Sequence, residues 1–149
     1  DDLPAQDVER VVFCSGKVYF DLLEQRRAGE VRNVAIVRIE QLYPFPAEDY
    51  ATALRRYPKA REIVWCQEEP QNQGAWFQIR HRLLEPLMGG QEVLYAGRRP
   101  AAAPATGIAQ LHNSEQLGLV KAALTATTPE QATRATSRLR ATGSTRKKS

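Results

Sequence analysis

The chain has 149 residues, of which 42% are hydrophobic, and this is enough for one domain with a substantial core. No apolar run reaches the ~18 residues that a membrane-spanning helix needs, and no segment near the start resembles a signal peptide, so we expect a soluble protein. The net charge of +4 is concentrated in residues 129–149, where six basic residues and one acidic residue leave a net charge of −1 elsewhere. The main part of the chain is therefore not expected to present a basic surface for nucleic acid.

Predicted strands and helices alternate along the chain. Short runs rich in β-branched residues predict strands, and apolar residues at helical spacing predict helices. In chain order the elements are a strand at 10–14, a helix at 17–27, a strand at 34–39, a helix at 46–57, a strand at 62–67, a helix at 73–87, a strand at 92–96 and a helix at 114–125. The alternation predicts an α/β fold with three layers (α/β/α) around a mainly parallel sheet of about four strands.

Individual residues mark the predicted ends of the helices. Gly29 is placed to end the first helix, Pro46 to occupy the first turn of the second, and Asn72 to cap the third. The apolar residues predicted to face the core are Ala75, Trp76, Ile79, Leu83 and Leu84 in the third helix and Leu117, Val120 and Leu124 in the last.

Composition divides the chain into three parts. Residues 1–9 are polar and predict a linker, and residues 10–126 predict the folded domain. Residues 127–149 hold too few apolar side chains to offset chain entropy, so we expect a disordered basic tail. The chain starts at Asp1 and its only methionine is Met88, so we expect it to be a piece of a longer polypeptide.

The cysteines and histidines give no indication of a metal or redox site. Cys14 and Cys66 each lie inside an apolar strand-like run, which favours buried core residues over a disulfide. His81 and His112 have no carboxylate or cysteine at ligand spacing, so metal binding is not predicted.

Two basic positions follow predicted strands. Ser15, Gly16 and Lys17 come between the first strand and the first helix, where backbone N–H groups and a lysine could hold an anion. The phosphate-loop spacing is absent, so a tight turn with a solvated lysine is the simpler interpretation. Arg98 and Arg99 follow the fourth strand and could bind a phosphate or carboxylate, or could simply be solvated.

Glu68 and Glu69 end the third strand. They could act as acid/base groups or as salt-bridge anchors to another domain. Neighbouring residues of a strand point to opposite faces, so structural or interface use is favoured over a catalytic pair. Trp76 is expected in the core, with the alternative that Trp76 and Phe77 cover a neighbouring subunit. The sequence contains no nucleophile elbow, Cys/His pairing or dinucleotide fingerprint, so it shows no apparatus for independent catalysis.

Three longer motifs resemble one family. Residues 11–23 (VVFCSGKVYFDLL), 35–46 (AIVRIEQLYPFP) and 65–76 (WCQEEPQNQGAW) are similar to the C-terminal domain of 2-oxoglutarate dehydrogenase, the thiamine-diphosphate-dependent decarboxylating component of its complex. The similarity continues through residues 95–98 (YAGR) and 104–107 (PATG) and covers residues 10–125. Relatives tend to finish near Leu124, whereas this chain adds the basic tail.

The resemblance implies a transketolase-type C-terminal domain with parallel strands in spatial order 2-1-3-4 and an antiparallel edge strand upstream of Asp1. It implies that the parent enzyme, a homodimer of the tricarboxylic acid cycle, binds thiamine diphosphate and Mg²⁺ between two other domains. The parent would decarboxylate 2-oxoglutarate and pass the succinyl group to the lipoyl arm of the dihydrolipoyl succinyltransferase component. The diphosphate-binding motif and catalytic histidines of the family have no counterpart here, so no catalytic residue, cofactor or metal is predicted for this chain.

What remains for this domain is support of the dimer and the binding of an effector, since some relatives respond to nucleotide-type effectors. The strand order places a crevice beside residues 15–17 and Glu68, and Arg38 and Gln41 could reach it. The candidate effector or interface residues are Ser15, Gly16, Lys17, Arg38, Gln41, Glu68, Glu69, Trp76 and Arg98.

The expected location is the bacterial cytoplasm, with no membrane or nucleic acid partner. The alternative is a free-standing regulatory or binding module of the same fold, and the two differ in whether a glycine-rich cofactor motif lies upstream of Asp1. A nucleic acid binder that uses the basic tail is a third, weaker hypothesis.

Overall fold

The computed structural model of the chain describes residues 3–102 and 109–125. Its elements, in chain order, are β1 (Arg10–Cys14), α1 (Val18–Ala28), β2 (Val34–Arg38), α2 (Ala47–Arg56), β3 (Glu62–Pro70), α3 (Trp76–Leu84), β4 (Glu92–Arg98) and α4 (Ala109–Leu124), and a single 3₁₀ turn (Ala5–Asp7) precedes them.

The described strands form one parallel sheet in the order β2-β1-β3-β4. The register aligns Arg10 with Val34 on one side and with Glu62 on the other, and aligns Glu62 with Glu92. The first residues of the four strands therefore lie together at one edge, the amino edge, and the last residues lie at the opposite edge, the carboxyl edge. Both the predicted fold class and the predicted strand order are confirmed.

Helices cover both faces of the sheet because alternate residues of each buried strand point to opposite sides. Phe13 and Trp65 pack with Tyr50 of α2 and Ile79 of α3 on one face. On the other face, Cys14 and its neighbours pack against α1 and α4; these buried residues are Val12, Cys14, Val18, Leu22, Val64, Cys66, Leu119, Val120 and Ala123. Burial of each such aliphatic side chain contributes about 1.5–3 kcal/mol, so the two cores hold the layers together.

Two helices differ from their predicted bounds by more than one residue. The third begins at Trp76 instead of residue 73, because β3 runs on to Pro70 and residues 71–75 form a turn and a bend, and it ends at Leu84 instead of residue 87. The last begins at Ala109 rather than at residue 114. Two inward predictions were wrong: Leu84 is 46% exposed and Leu117 is 47% exposed, whereas Leu119 and Ala123 are buried instead.

A buried ion pair marks the amino edge. Arg10 Nε donates to Glu62 Oε2 at 2.7 Å, and the Arg10 side chain is 2% exposed. Arg10 Nη1 also donates to the carbonyl oxygens of Ala122 (3.1 Å) and Ala123 (2.9 Å). These carbonyls belong to the last turn of α4, which has no intrahelical donors for them, so Arg10 both caps α4 and joins it to β1 and β3.

The prediction of a folded domain at 10–126 flanked by a linker and a tail stays a prediction. Within residues 3–9, Val8 is buried in the core. Residues 103–108 and 126–149 lie outside the described residues, and so does the predicted disorder of the tail. None of the described helices combines the length and the apolarity needed to cross a bilayer.

Candidate functional site

The turn after β1 opens the carboxyl edge. Gly16 has φ +74°, a left-handed conformation that glycine adopts without steric cost, and this lets the chain turn directly from β1 into α1. No atom lies within 4 Å of the place where a Cβ would be, so the backbone conformation and not crowding favours glycine here. The turn leaves Ser15 partly buried and leaves the side chain of Lys17 75% exposed.

A polar network joins this turn to two other elements. Lys17 Nζ forms an ion pair with Glu68 Oε1, and Gln116 Nε2 donates to the same carboxylate oxygen at 2.9 Å. Gln116 Nε2 also donates to Asp21 Oδ2 at 2.8 Å. The hydrogen bond to Glu68 raises the pKa of Lys17 above its ordinary value. We call Lys17, Asp21, Glu68 and Gln116 the carboxyl-edge network; it connects α1, β3 and α4.

The two arginines after β4 differ from each other. Arg98 is buried, and its Nε lies 3.6 Å from Glu115 Oε2 of α4. Arg99 is exposed. Arg98 therefore fastens β4 to α4 next to the carboxyl-edge network, while Arg99 is the more accessible of the pair.

Arg38 and Gln41 lie at the end of β2 and make other contacts. Arg38 pairs with Glu40, and its guanidinium carbon lies 5.1 Å from the ring centre of Tyr19. Gln41 Nε2 donates to the carbonyl oxygen of Pro44 at 3.2 Å. Both residues line a cleft of about 410 Å³ next to α2, on the sheet face opposite α1 and α4. No contact between them and the carboxyl-edge network is found among the described residues.

Gln67 holds the end of β3 through its side-chain amide, a role that the sequence analysis did not predict. Its Oε1 accepts hydrogen bonds from Trp65 Nε1 (2.8 Å) and from the Trp76 backbone N–H (3.1 Å). Its Nε2 donates to the carbonyl oxygens of Glu69 and Pro70, both at 3.2 Å. A buried amide thus supplies an acceptor to the start of α3.

The prediction that Asn72 caps α3 was wrong. Its side chain instead accepts from the Ala101 N–H and donates to the Ala101 carbonyl, both at 3.0 Å, and so holds the segment after β4. The position before α3 is Ala75, which offers no side-chain cap. Trp76 is 8% exposed and packs with Tyr95, as predicted for a core residue, whereas Phe77 is 54% exposed.

The matches to known proteins cover almost all of the described chain. Residues 2–124 match the family model described as 2-oxoglutarate dehydrogenase C-terminal. The chain belongs to this family. The 2-oxoglutarate dehydrogenase E1 component of Haemophilus influenzae is 53% identical over 124 residues, and that of Cupriavidus necator is 50% identical over 123 residues. Each alignment covers 83% of this chain but only 13% of the relative, so the chain spans about one eighth of the length of these relatives.

The described part of this 2-oxoglutarate dehydrogenase C-terminal chain has no evident reacting group. Cys14 and Cys66 are free and buried, as predicted, and burial raises the pKa of Cys14 to about 12 and also raises that of Cys66. Thiols that stay protonated are poor nucleophiles and poor metal ligands. His81 is exposed, and His112 lies outside the described side chains.

The described residues also do not fit the cofactors that the family implies. No three His, Cys, Asp or Glu side chains among residues 3–102 and 109–125 converge as metal ligands. A Mg²⁺ ion with a diphosphate therefore has no set of carboxylate ligands within the described part of the chain.

The structure brings together some of the predicted site residues and separates others. Ser15, Gly16, Lys17 and Glu68 are neighbours, and Arg98 lies close to them. Glu69 is exposed, whereas Glu68 is partly buried and accepts from Gln116. Asp21 and Gln116 were missed: the helical i, i+4 spacing from Lys17 is a signal for Asp21, whereas Gln116 is 48 residues from Glu68 and has no local signal.

Proposed function

We propose that this chain is the C-terminal domain of a 2-oxoglutarate dehydrogenase E1 component and that it supports the enzyme rather than supplying reacting groups. The identity of 53% over 124 residues to an E1 component carries the proposal. The proposed parent oxidatively decarboxylates 2-oxoglutarate in the tricarboxylic acid cycle, in the bacterial cytoplasm. Thiamine diphosphate and Mg²⁺ would be bound by its other domains.

The role of the domain is structural support of the parent homodimer, which passes succinyl groups to the dihydrolipoyl succinyltransferase component. The chemistry of the described residues agrees with this role. The buried thiols are held protonated, and the polar groups at both edges of the sheet are used to join helices to strands. Such contacts give a rigid scaffold.

A domain exchange tests the proposal. Residues 2–124 of this chain would replace the matching segment of the Haemophilus influenzae E1 component, and carbon dioxide release from 2-oxoglutarate would be measured with thiamine diphosphate and Mg²⁺ present. We expect the exchanged enzyme to be active, the truncated enzyme without this segment to be inactive, and this chain alone to release none. Carbon dioxide from this chain alone, or full activity of the truncated enzyme, would contradict the proposal.

We further propose that the carboxyl edge is where the domain meets an anionic effector or the rest of its polypeptide. Ser15, Gly16 and Lys17 contribute a glycine turn and an exposed cation, with Arg98 close by. Glu68 already neutralises Lys17, so an anion has to displace this carboxylate in order to bind. The Glu68→Gln substitution should therefore strengthen binding at Lys17.

Nuclear magnetic resonance on the full chain tests this second proposal. Inorganic phosphate and a nucleoside phosphate would be titrated against the unsubstituted chain and the Glu68→Gln chain. Shifts centred on residues 15–17 that are larger in Glu68→Gln are expected. The absence of shifts at Lys17 in both chains would count against the effector, while leaving the domain exchange as a separate test of the support role.

A further inference from the structure

A cleft of about 360 Å³ lies between α1 and α4, on the outer surface of the domain. Asp21 and Glu24 of α1 line one side of it, and Gln116, Leu117 and Val120 of α4 line the other. We call it the α1–α4 cleft. Its presence explains why Leu117 is 47% exposed although the neighbouring Val120 is buried: the leucine forms an apolar wall that none of the described elements covers.

The polar groups of the α1–α4 cleft favour a cationic side chain. Two carboxylates face it, and no cationic side chain is among the described residues that line it. Gln116 holds one of these carboxylates in place, because its Nε2 donates to Asp21 as well as to Glu68. Two carboxylates and an aliphatic wall together suit arginine, which has a planar set of donors on an apolar stem.

The chain itself contains a segment with this chemistry. Residues 129–149 hold four arginines and two lysines against one acidic residue. They follow α4, which forms one wall of the cleft, and they lie beyond the family match, which ends at residue 124. Nine residues lie between Leu124 and Arg134, so the two can be up to ~35 Å apart. The 11-residue α1 is only ~16 Å long, so the basic residues can reach any part of the cleft.

We propose that residues 129–149 bind back to the α1–α4 cleft of the same chain, with an arginine between Asp21 and Glu24 and its stem against Leu117. The short connection makes the effective concentration of the segment roughly millimolar, so weak contacts are sufficient. The contact is electrostatic and partly exposed, so added salt weakens it. This inference goes beyond the proposed function and does not depend on it.

A spin label on the segment tests the proposal in the full chain. Ser137→Cys provides the attachment point, and Cys14 and Cys66 do not compete for the reagent because both are 0% exposed. Signals of backbone amides in residues 21–28 and 113–120 should be broadened, whereas those of α2, on the opposite face, should not. Addition of about 0.5 M salt should restore the broadened signals.

Substitutions in the cleft sharpen the test. Glu24→Gln should reduce the broadening about twofold, and Asp21→Asn with Glu24→Gln should reduce it further, since each removes one carboxylate. Glu48→Gln on α2 is the matched control and should leave the broadening unchanged. Replacement of Arg134, Arg138 and Arg140 by Gln should abolish it. Glu24 is exposed, so its substitution is expected to leave the fold intact, and the dispersion of the amide spectrum checks this.

Three results would overturn the proposal. The first is the absence of broadening in the cleft at low salt, and the second is broadening that Glu24→Gln and the Asp21→Asn double variant leave unchanged. The third is broadening that passes between molecules, detected by mixing labelled chains without ¹⁵N with unlabelled ¹⁵N chains, since it would place the segment on a second copy.

Discussion

Each edge of the sheet carries an ion pair between a basic residue and a glutamate, but the two pairs have different roles. At the amino edge, Arg10 and Glu62 are 2% and 12% exposed, and Arg10 also caps α4. At the carboxyl edge, Lys17 is 75% exposed and Glu68 is 21% exposed. Removal of one buried partner leaves a charge without compensation in a low dielectric, whereas water compensates the loss of an exposed partner. The amino edge therefore stabilises the fold, and the carboxyl edge can exchange partners.

The first prediction tests the stronger edge. Arg10→Met removes the donor that Arg10 supplies to the buried Glu62 carboxylate and to two α4 carbonyls, so the free energy of unfolding should fall by about 3–5 kcal/mol in urea denaturation. Glu62→Gln keeps an acceptor for Arg10 and should cost less. A loss below about 1 kcal/mol for Arg10→Met would remove the distinction between the two edges.

The second prediction tests whether the end of β3, which belongs to the carboxyl edge, also contributes to stability. Gln67→Ala removes the acceptor of the Trp65 indole N–H and of the Trp76 N–H, so the free energy of unfolding should fall by about 2–3 kcal/mol. Urea denaturation followed by tryptophan fluorescence measures this loss.

Gly74→Ala is to be measured alone and in combination with Gln67→Ala. A Cβ at residue 74 would lie 2.2 Å from Gln67 Nε2, so the alanine should destabilise the unsubstituted chain and have a smaller effect in Gln67→Ala. Additive losses in the double variant would show that Gln67 does not limit the space at Gly74.

The third prediction concerns pH and the thiol at the end of β1. Burial raises the pKa of Cys14 from 9.0 to about 12, so the folded chain favours the neutral thiol. Stability from this group is complete below about pH 9 and is lost as the pH rises towards 12, with a loss of about 1.4 kcal/mol by pH 10.

The Cys14→Ala substitution isolates this contribution. The variant should be less stable at pH 7, because a cavity is formed, but its stability should fall less steeply between pH 9 and pH 11. Urea denaturation at several pH values measures both effects. Parallel pH profiles for the two chains would mean that Cys14 is not shielded from water.

The fourth prediction is the smallest. Lys17→Met should lower the free energy of unfolding by about 0.5 kcal/mol at low salt and by less at high salt, because the pair is exposed. The pKa of Lys17 is raised by Glu68, so this contribution is complete below pH 10.5, its ordinary value, and is lost at higher pH. Lys59→Met, an exposed lysine near the amino edge, is the control. A loss as large as that of Arg10→Met would contradict the comparison.

The main elements of the fold could be predicted because their signals are local. The apolar runs at 10–14 and 34–39 and the helical spacing at 17–27 each lie within a dozen residues, and the observed bounds agree with them to within one residue. The inward faces of α3 and α4 were harder to predict, since Leu84 and Leu117 are apolar and yet exposed. A helix can contain apolar residues on more than one face, and the packing of neighbouring elements decides which of them are buried.

The sequence by itself determined the alternation of strands and helices, the burial of Cys14 and Cys66, and the resemblance to the 2-oxoglutarate dehydrogenase C-terminal family. Only the tertiary structure decided that Gln67 accepts a hydrogen bond from the start of α3, that Arg10 caps α4 and that Gln116 joins Asp21 to Glu68. For Arg10 and Gln116 the physical reason is distance along the chain: Arg10 and Ala123 are 113 residues apart, and only the closing of the sheet brings such groups within hydrogen-bond range. Gln67 is close to Trp76 in sequence, but only the turn between β3 and α3 brings its amide oxygen to the Trp76 N–H.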